Sequence, residues 1–317
     1  MRIVSLLPSI TETIASLGRY HQLVGRSHEC DFPEEIKTLP SCTEPKFDPD
    51  GTSYELNERV EAILQEGLSV YRVDADRLRE LNPDIVLTQD HCKVCATSLE
   101  EVKEAVRSSL DADVEIISVS PDDLSSVVSS IRTIATAINA EKEGEKLVAD
   151  MKEKLQNIQK KTLPLHPPEV LCLEWLDPLM SAGNWMPELL QLAGGQPVLA
   201  KAGEHSSWLE WKKIQQSDPE IITITPCGYS ISETLSEWST LTNRPGWNQL
   251  KAVQNHQVYI MDGNHYFNRP GPRLVDSTRI LAEIIHPSIF RENAERVGWI
   301  NVYNYQFQQN INSSFHA

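Results

Sequence analysis

Two runs of alternating strand-like and helix-like segments flank one long stretch at helical spacing, and this partition limits the possible folds more than any other feature of the chain. Leu124, Val127, Val128, Ile131, Ile134, Ala135 and Ile138 recur at helical intervals, and Leu147, Val148, Met151, Leu155 and Ile158 resume them. Ser120-Pro121-Asp122-Asp123 reads as a helix start, with a cap, a first-turn proline and acids at the positive end of the dipole. Prolines at 164, 167 and 168 end the stretch. Unbroken, Pro121 to Lys161 would span about 60 Å, more than one lobe, which predicts a spine between two lobes, with Asn139 to Gly144 as the place for a kink.

On the N-terminal side, strands are expected at Ile3 to Leu7, Leu23 to Arg26, Ile85 to Thr88 and Val114 to Val119. Ser9-Ile10-Thr11-Glu12 has the capping-box pattern of a helix that stops at Gly18. On the C-terminal side, strands are expected at Val170 to Trp175, Ile221 to Thr225 and Val258 to Met261, with helices near Pro187 to Leu192, Leu209 to Gln216 and Pro272 to Ile285. The predicted fold is α/β: two doubly wound, Rossmann-like lobes with parallel sheets, joined by the spine, with a ligand cleft between them. The expected divisions are a lobe over 1–120, the spine over 121–161, a second lobe over 162–300 and a polar tail over 301–317.

In such sheets ligands bind at the carboxyl ends of the strands, and this chain places reactive and aromatic residues there. Ser9, Glu29, Cys30, Gln89 and Cys92 follow strands of the first half; Glu174, Trp175, Trp185, Trp208, Cys227, Tyr229, Tyr266, Phe267 and Arg269 follow or flank strands of the second. Flat rings offer apolar area, and Glu, Gln, Ser and Arg fix orientation, a set suited to a large planar ligand. Trp175 serves equally as a core residue, Arg269 either pairs with a ligand acid or caps a loop carbonyl, and Glu174 either orients the ligand or accepts backbone N–H groups.

The thiols carry two readings. Cys30, Cys92, Cys95 and Cys227 could hold a metal ion or touch the ligand, or they could be small buried hydrophobes; Cys42 and Cys172 read as packing. His28, His91 and His265 are candidate axial ligands to a central metal, or hydrogen-bonding loop residues. Nothing matches a phosphate loop, a nucleophile elbow or a metallohydrolase motif, so no catalytic residue is assigned. A net charge of −16 and a pI near 5.0 argue against nucleic acid as partner.

The chain resembles the class III substrate-binding proteins of ABC importers, which take cobalamin, haem or iron–siderophores, and most of all those that bind cobalamin. The resemblance is carried by Arg2 to Gly18, the turn Ser27-His28-Glu29-Cys30-Asp31-Phe32-Pro33, Thr88 to Ala96, Leu173 to Gly195, and Asp262 to Pro287 with Arg269-Pro270-Gly271-Pro272-Arg273. It implies non-catalytic binding of a corrinoid or related tetrapyrrole, with an aromatic contact on Tyr266. It also implies a permease partner docked by one acid on each lobe; these positions fall on Asp76 and on Lys212, where the charge is reversed unless Glu210 serves. The segment Thr43 to Val73, with a helix over Asn57 to Glu66, reads as an insertion.

No apolar run of membrane-spanning length and no signal peptide or lipidation cysteine is read from the first residues, so a cytoplasmic, monomeric protein is expected. A periplasmic or extracellular place is the alternative that the family implies. Two other functions stand beside corrinoid binding: a thiol- or metal-dependent enzyme acting on a corrinoid, and a zinc or iron protein using the cleft cysteines.

Overall fold

The computed structural model describes residues 1–66, 68–89, 99–109, 114–290 and 298–305. The chain divides into two compact units, one of Met1–Lys152 with Pro270–Pro272, the other of Glu153–Arg269 with the residues from Arg273 onward.

In the first unit the strands are β1 (Ile3–Ser5), β2 (Leu23–Arg26), β3 (Thr43–Pro45), β4 (Tyr71–Val73), β5 (Ile85–Gln89) and β6 (Glu115–Val119). Among the described residues β2, β1, β5 and β6 form a four-stranded parallel sheet in that order. Strand alternation sends Ile3, Ile85 and Leu87 to one face, against Ile10 and Ile14 of the helix Pro8–Ser16 and Ile134 of the helix Leu124–Ala137. Val4 and Val86 go to the other face, against Leu78 of the helix Ala75–Leu81 and Val102 of the helix Leu99–Ser109. Helices therefore cover both faces, as a doubly wound sheet requires.

The helix Pro8–Ser16 starts two residues earlier than its sequence pattern suggested. Leu7 is extended at the N-cap without a side-chain bond, Pro8 fills the first position, and Ser9 lies inside the helix, so the expected capping box is not made. At its other end Gly18 adopts φ 73°, and the N–H of Arg19 reaches back to the carbonyl of Ile14 at 3.1 Å, which closes the helix.

β3 and β4 pair antiparallel, Thr43 opposite Val73, so the segment between them leaves and re-enters the fold at one place. It carries the helix Ser53–Gln65, opened by a capping box between Thr52 and Glu55. Only Ser53 and Leu56 of this helix are buried.

The unbroken spine is not formed. The helix Leu124–Ala137, capped by Asp123, ends before Asn139, which takes φ 53°, and a separate helix of 22 residues runs over Glu141–Thr162. At 1.5 Å per residue it is about 33 Å long. A Cβ at Gly144 would come within 2.5 Å of the Cβ of Ala135, and Arg132 pairs with Glu145 at 2.6 Å. The two helices therefore meet at a tight corner, and the boundary between the units falls inside the second helix.

In the second unit the strands are β7 (Glu169–Trp175), β8 (Met180–Ser181), β9 (Gln196–Pro197), β10 (Ser207–Trp208), β11 (Ile221–Ile224), β12 (Val258–Met261) and β13 (Trp299–Asn301). Their sheet runs β10-β8-β7-β11-β12-β13, with β9 also paired to β7. β9, β7, β11 and β12 are parallel, but β8 pairs antiparallel with both β7 and β10, and β13 with β12, so this sheet is mixed where an all-parallel one was expected. The first residues of the expected polar tail are held by this unit, since Asn301 pairs with Tyr259, Val302 is fully buried and Tyr303 stacks on His256. Leu171, Leu173, Ile222, Ile224, Val258 and Ile260 build its core with Trp247 and Leu250.

Candidate functional site

In each sheet the order of strands reverses once, between β1 and β5 and between β7 and β11, and the crevice outside the carboxyl ends there is the expected ligand position.

At the edge of the first unit the turn after β2 is locked by the excursion that β3 and β4 close. Thr43 Oγ1 donates to Ser27 Oγ at 3.0 Å, accepts the N–H of His28 at 3.1 Å and lies 2.7 Å from His28 Nδ1. The Tyr71 hydroxyl, on β4, donates to Glu29 Oε1 at 2.7 Å, and its ring meets that of His28 edge-on at 4.9 Å. Burial, reinforced by the Arg26 guanidinium, lowers the pKa of His28 to about 4, so the ring is neutral at physiological pH. Neither Thr43 nor Tyr71 carries a local sequence signal of this role, because the partner turn is 15 to 42 residues away in the chain.

Gln89 ends β5, and its buried Oε1 accepts no hydrogen bond among the described residues. Ser9 is buried, and Gly271 packs on its backbone, 3.2 Å from a Cβ there to the Ser9 carbonyl oxygen. Cys30 is a core residue rather than a surface thiol: it is 1% exposed, packs with the Ile10 cluster and shares a 3.1 Å hydrogen bond with Thr11. Asp90, His91, Cys92 and Cys95 lie outside the described residues.

At the edge of the second unit three strand ends are tied together. Ser206 Oγ donates to Glu174 Oε2 at 2.7 Å and accepts the N–H of Gly183 at 3.0 Å. Trp175 meets Tyr229 edge-on at 5.4 Å, and the N–H of Cys227 donates to the Glu174 carbonyl at 3.2 Å. After β12, a π-type turn over Gly263–Phe267 is nucleated by Asp262, whose Oδ1 accepts the N–H groups of Asn264 and His265 while its Oδ2 sits 2.8 Å from His265 Nδ1. Asn268 fastens this turn to β11 through the Thr225 carbonyl at 3.2 Å.

The rings sort into two groups. Trp185 is buried and donates Nε1–H to the Phe267 carbonyl at 2.9 Å, and Phe267 is wholly buried; both hold the turn from behind. Tyr229 is buried too, its hydroxyl donating to Glu237 at 3.1 Å, and burial with that carboxylate pushes its pKa up. Trp208, 54% exposed on β10, and Tyr266, half-buried with the Arg273 guanidinium 4.5 Å over its ring, remain on the surface side. Arg269 is buried and donates to Asn264 Oδ1 at 3.0 Å, a loop-bracing bond. Cys227 is half-buried, whereas burial pushes Cys42 and Cys172 each up to about 12. Among the described residues no group of three or more His, Cys, Asp or Glu could hold a metal ion, so the reading of a cysteine metal site has no support there. Asp76 is exposed and pairs with Arg79 at 2.5 Å; Glu210 and Lys212 are exposed at the start of the helix Trp211–Ser217.

Each of the two α/β units gathers polar and aromatic residues at its strand ends, the arrangement of a small-molecule binding protein. The chain belongs to the periplasmic binding protein family, whose model matches residues 3–264. It is 28% identical over 298 residues to YvrC, an uncharacterized ABC transporter substrate-binding lipoprotein of Bacillus subtilis (strain 168), covering 92% of this chain and 82% of that protein. It is 20% identical over 285 residues to a vitamin B12-binding protein of Vibrio campbellii, covering 89% of this chain and 88% of that one. Among solved structures, the periplasmic heme-binding protein RhuT from Roseiflexus sp. RS-1 superposes with a TM-score of 0.67 at 22% identity, over 91% of this chain and 98% of that one.

These findings overturn the expectation of a cytoplasmic protein, since the family is periplasmic and the Bacillus relative is a lipoprotein. A leader is a short segment independent of the fold it exports, so the domain's family, and not its first residues, bears on where it works.

Proposed function

We propose that this protein binds a cobalamin-type corrinoid outside the cytoplasm and presents it to an ABC permease. The observation that carries the reading is the edge of the second unit, where the strand ends and the loops beside them carry Glu174, held by Ser206, and the rings of Trp175, Trp208 and Tyr266: a carboxylate for amide donors and rings for a flat macrocycle. Ser9, Glu29, Gln89 and Cys227 complete the proposed contact set, and the vitamin B12-binding relative supports the choice of ligand. Asp76 and either Glu210 or Lys212 are the proposed docking positions for the permease. Titration of the purified protein with cyanocobalamin, followed by tryptophan quenching and run beside haem, tests this. Saturable binding of micromolar strength or tighter, weakened at least tenfold by Tyr266→Ala, is expected; binding of haem alone would replace the corrinoid with another tetrapyrrole.

A further inference from the structure

Thr43 Oγ1 has one proton, and that proton goes to Ser27 Oγ. Its lone pairs face the N–H of His28 and, at 2.7 Å, His28 Nδ1. The second bond can form only if Nδ1 carries the ring proton, which leaves the lone pair on Nε2. Nε2 takes part in no hydrogen bond among the described residues, while the ring is steadied by Tyr71 at 4.9 Å.

This is how metal-binding imidazoles are prepared: a neighbour on one ring nitrogen sets the tautomer and aims the other. His265 is less defined, because the Asp262 carboxylate 2.8 Å from its Nδ1 pairs equally well with an imidazolium, which has no lone pair to give. Threonine brings no charge that would hold an imidazolium, and burial keeps the His28 ring neutral, so within the neutral ring the Thr43 contact selects the Nδ1–H tautomer. His28 also sits two residues past β2, beside Glu29, whose carboxylate Tyr71 holds.

We infer that His28 Nε2 coordinates the central metal of the bound corrinoid, with Thr43 as its positioning residue; this rests on the corrinoid reading above. In a cobalt(III) corrinoid with an exchangeable axial water, the Nε2 lone pair forms the N–Co bond as the Co–O bond breaks and water leaves. No electron or proton is transferred. Corrinoids whose axial positions are both strongly held would bind without this bond.

The test uses the full chain with diaquocobinamide, which lacks a nucleotide base of its own, and with cyanocobalamin. Diaquocobinamide is expected to bind with a shift of its corrin bands to longer wavelength, and cyanocobalamin to bind without one. After reduction with dithionite to cobalt(II), the electron paramagnetic resonance lines should split into triplets, and into doublets when the protein carries ¹⁵N-histidine. His28→Gln should remove the splitting, while Thr43→Val, which keeps the imidazole, should retain it with diaquocobinamide bound at least fivefold more weakly. Saturable binding without histidine splitting, or splitting that survives in His28→Gln, overturns the inference and leaves the corrinoid reading standing. Failure of both corrinoids to bind the unaltered protein overturns the reading and the inference with it.

Discussion

Gly263 lies so close to Pro226 that a Cβ at position 263 would overlap the Pro226 carbonyl oxygen. The π-type turn that presents His265 and Tyr266 is thus seated directly on the end of β11, and only glycine allows that approach. Gly263→Ala is expected to lower unfolding free energy by about 2–3 kcal/mol in urea titration and to weaken cyanocobalamin binding in parallel. Loss of stability with unchanged affinity would show that the turn does not shape the site.

Trp185 and Trp208 should separate cleanly. Trp185→Ala empties a buried site and orphans the Phe267 carbonyl, so a loss of about 3–5 kcal/mol is expected. Trp208 is more than half exposed, and Trp208→Ala should leave stability within about 0.5 kcal/mol while weakening corrinoid binding about tenfold, some 1.4 kcal/mol. Denaturant curves and ligand titrations on both variants decide the matter.

Tyr71→Phe removes one hydrogen bond to a carboxylate and almost no volume. A cost of about 1.5 kcal/mol is expected. A double-mutant cycle with Glu29→Gln should be non-additive by a similar amount, whereas additivity would mean that the contact contributes nothing.

His28 makes stability depend on pH in a stated direction. Its ring takes a proton near pH 6.5 when unfolded but only near 4 when folded, so its contribution is fully present above pH 6.5 and is lost as pH falls from 6.5 to about 4. The shift allows at most about 3 kcal/mol, reduced by the part of the ring that water reaches. The difference in melting temperature between the wild-type chain and His28→Gln, followed from pH 8 to pH 4, should change across that window and be flat above it.

Cys30, Cys42 and Cys172 should resist alkylation in the native protein at pH 8, because all three are buried and burial holds Cys42 and Cys172 at about 12. Peptide mass mapping before and after denaturation gives the answer. Rapid native labelling of Cys30 would revive the idea of a reactive thiol.

The strands and the two-part plan were legible because Ile, Val and Leu runs at β1, β5, β7, β11 and β12 are short, buried and bounded by turn residues. The break at Asn139 was legible as a candidate kink but not as a corner, since the close approach that the corner needs, Gly144 against Ala135, is a tertiary contact. Of the residues read at the strand ends, Phe267, Tyr229 and Arg269 are buried and brace their loops and Cys30 lies in the core, because residue type reports what a side chain can do and not which way it packs. Ser206, Thr43 and Tyr71 escaped notice for the complementary reason: each earns its place only through a partner remote in the chain.

The pairing of Thr43 with Val73 makes everything between them a cassette. Because it departs and returns across one rung of a two-stranded ladder, its length and content can drift without moving a single strand of the main sheet. Most of its helix is free to change in that way, but the two ends are not, for Thr43 and Tyr71 reach back to the turn after β2. A graft that swaps residues 46–70 and keeps that stem would therefore exchange the cassette while leaving the footing of Glu29 and His28 in place.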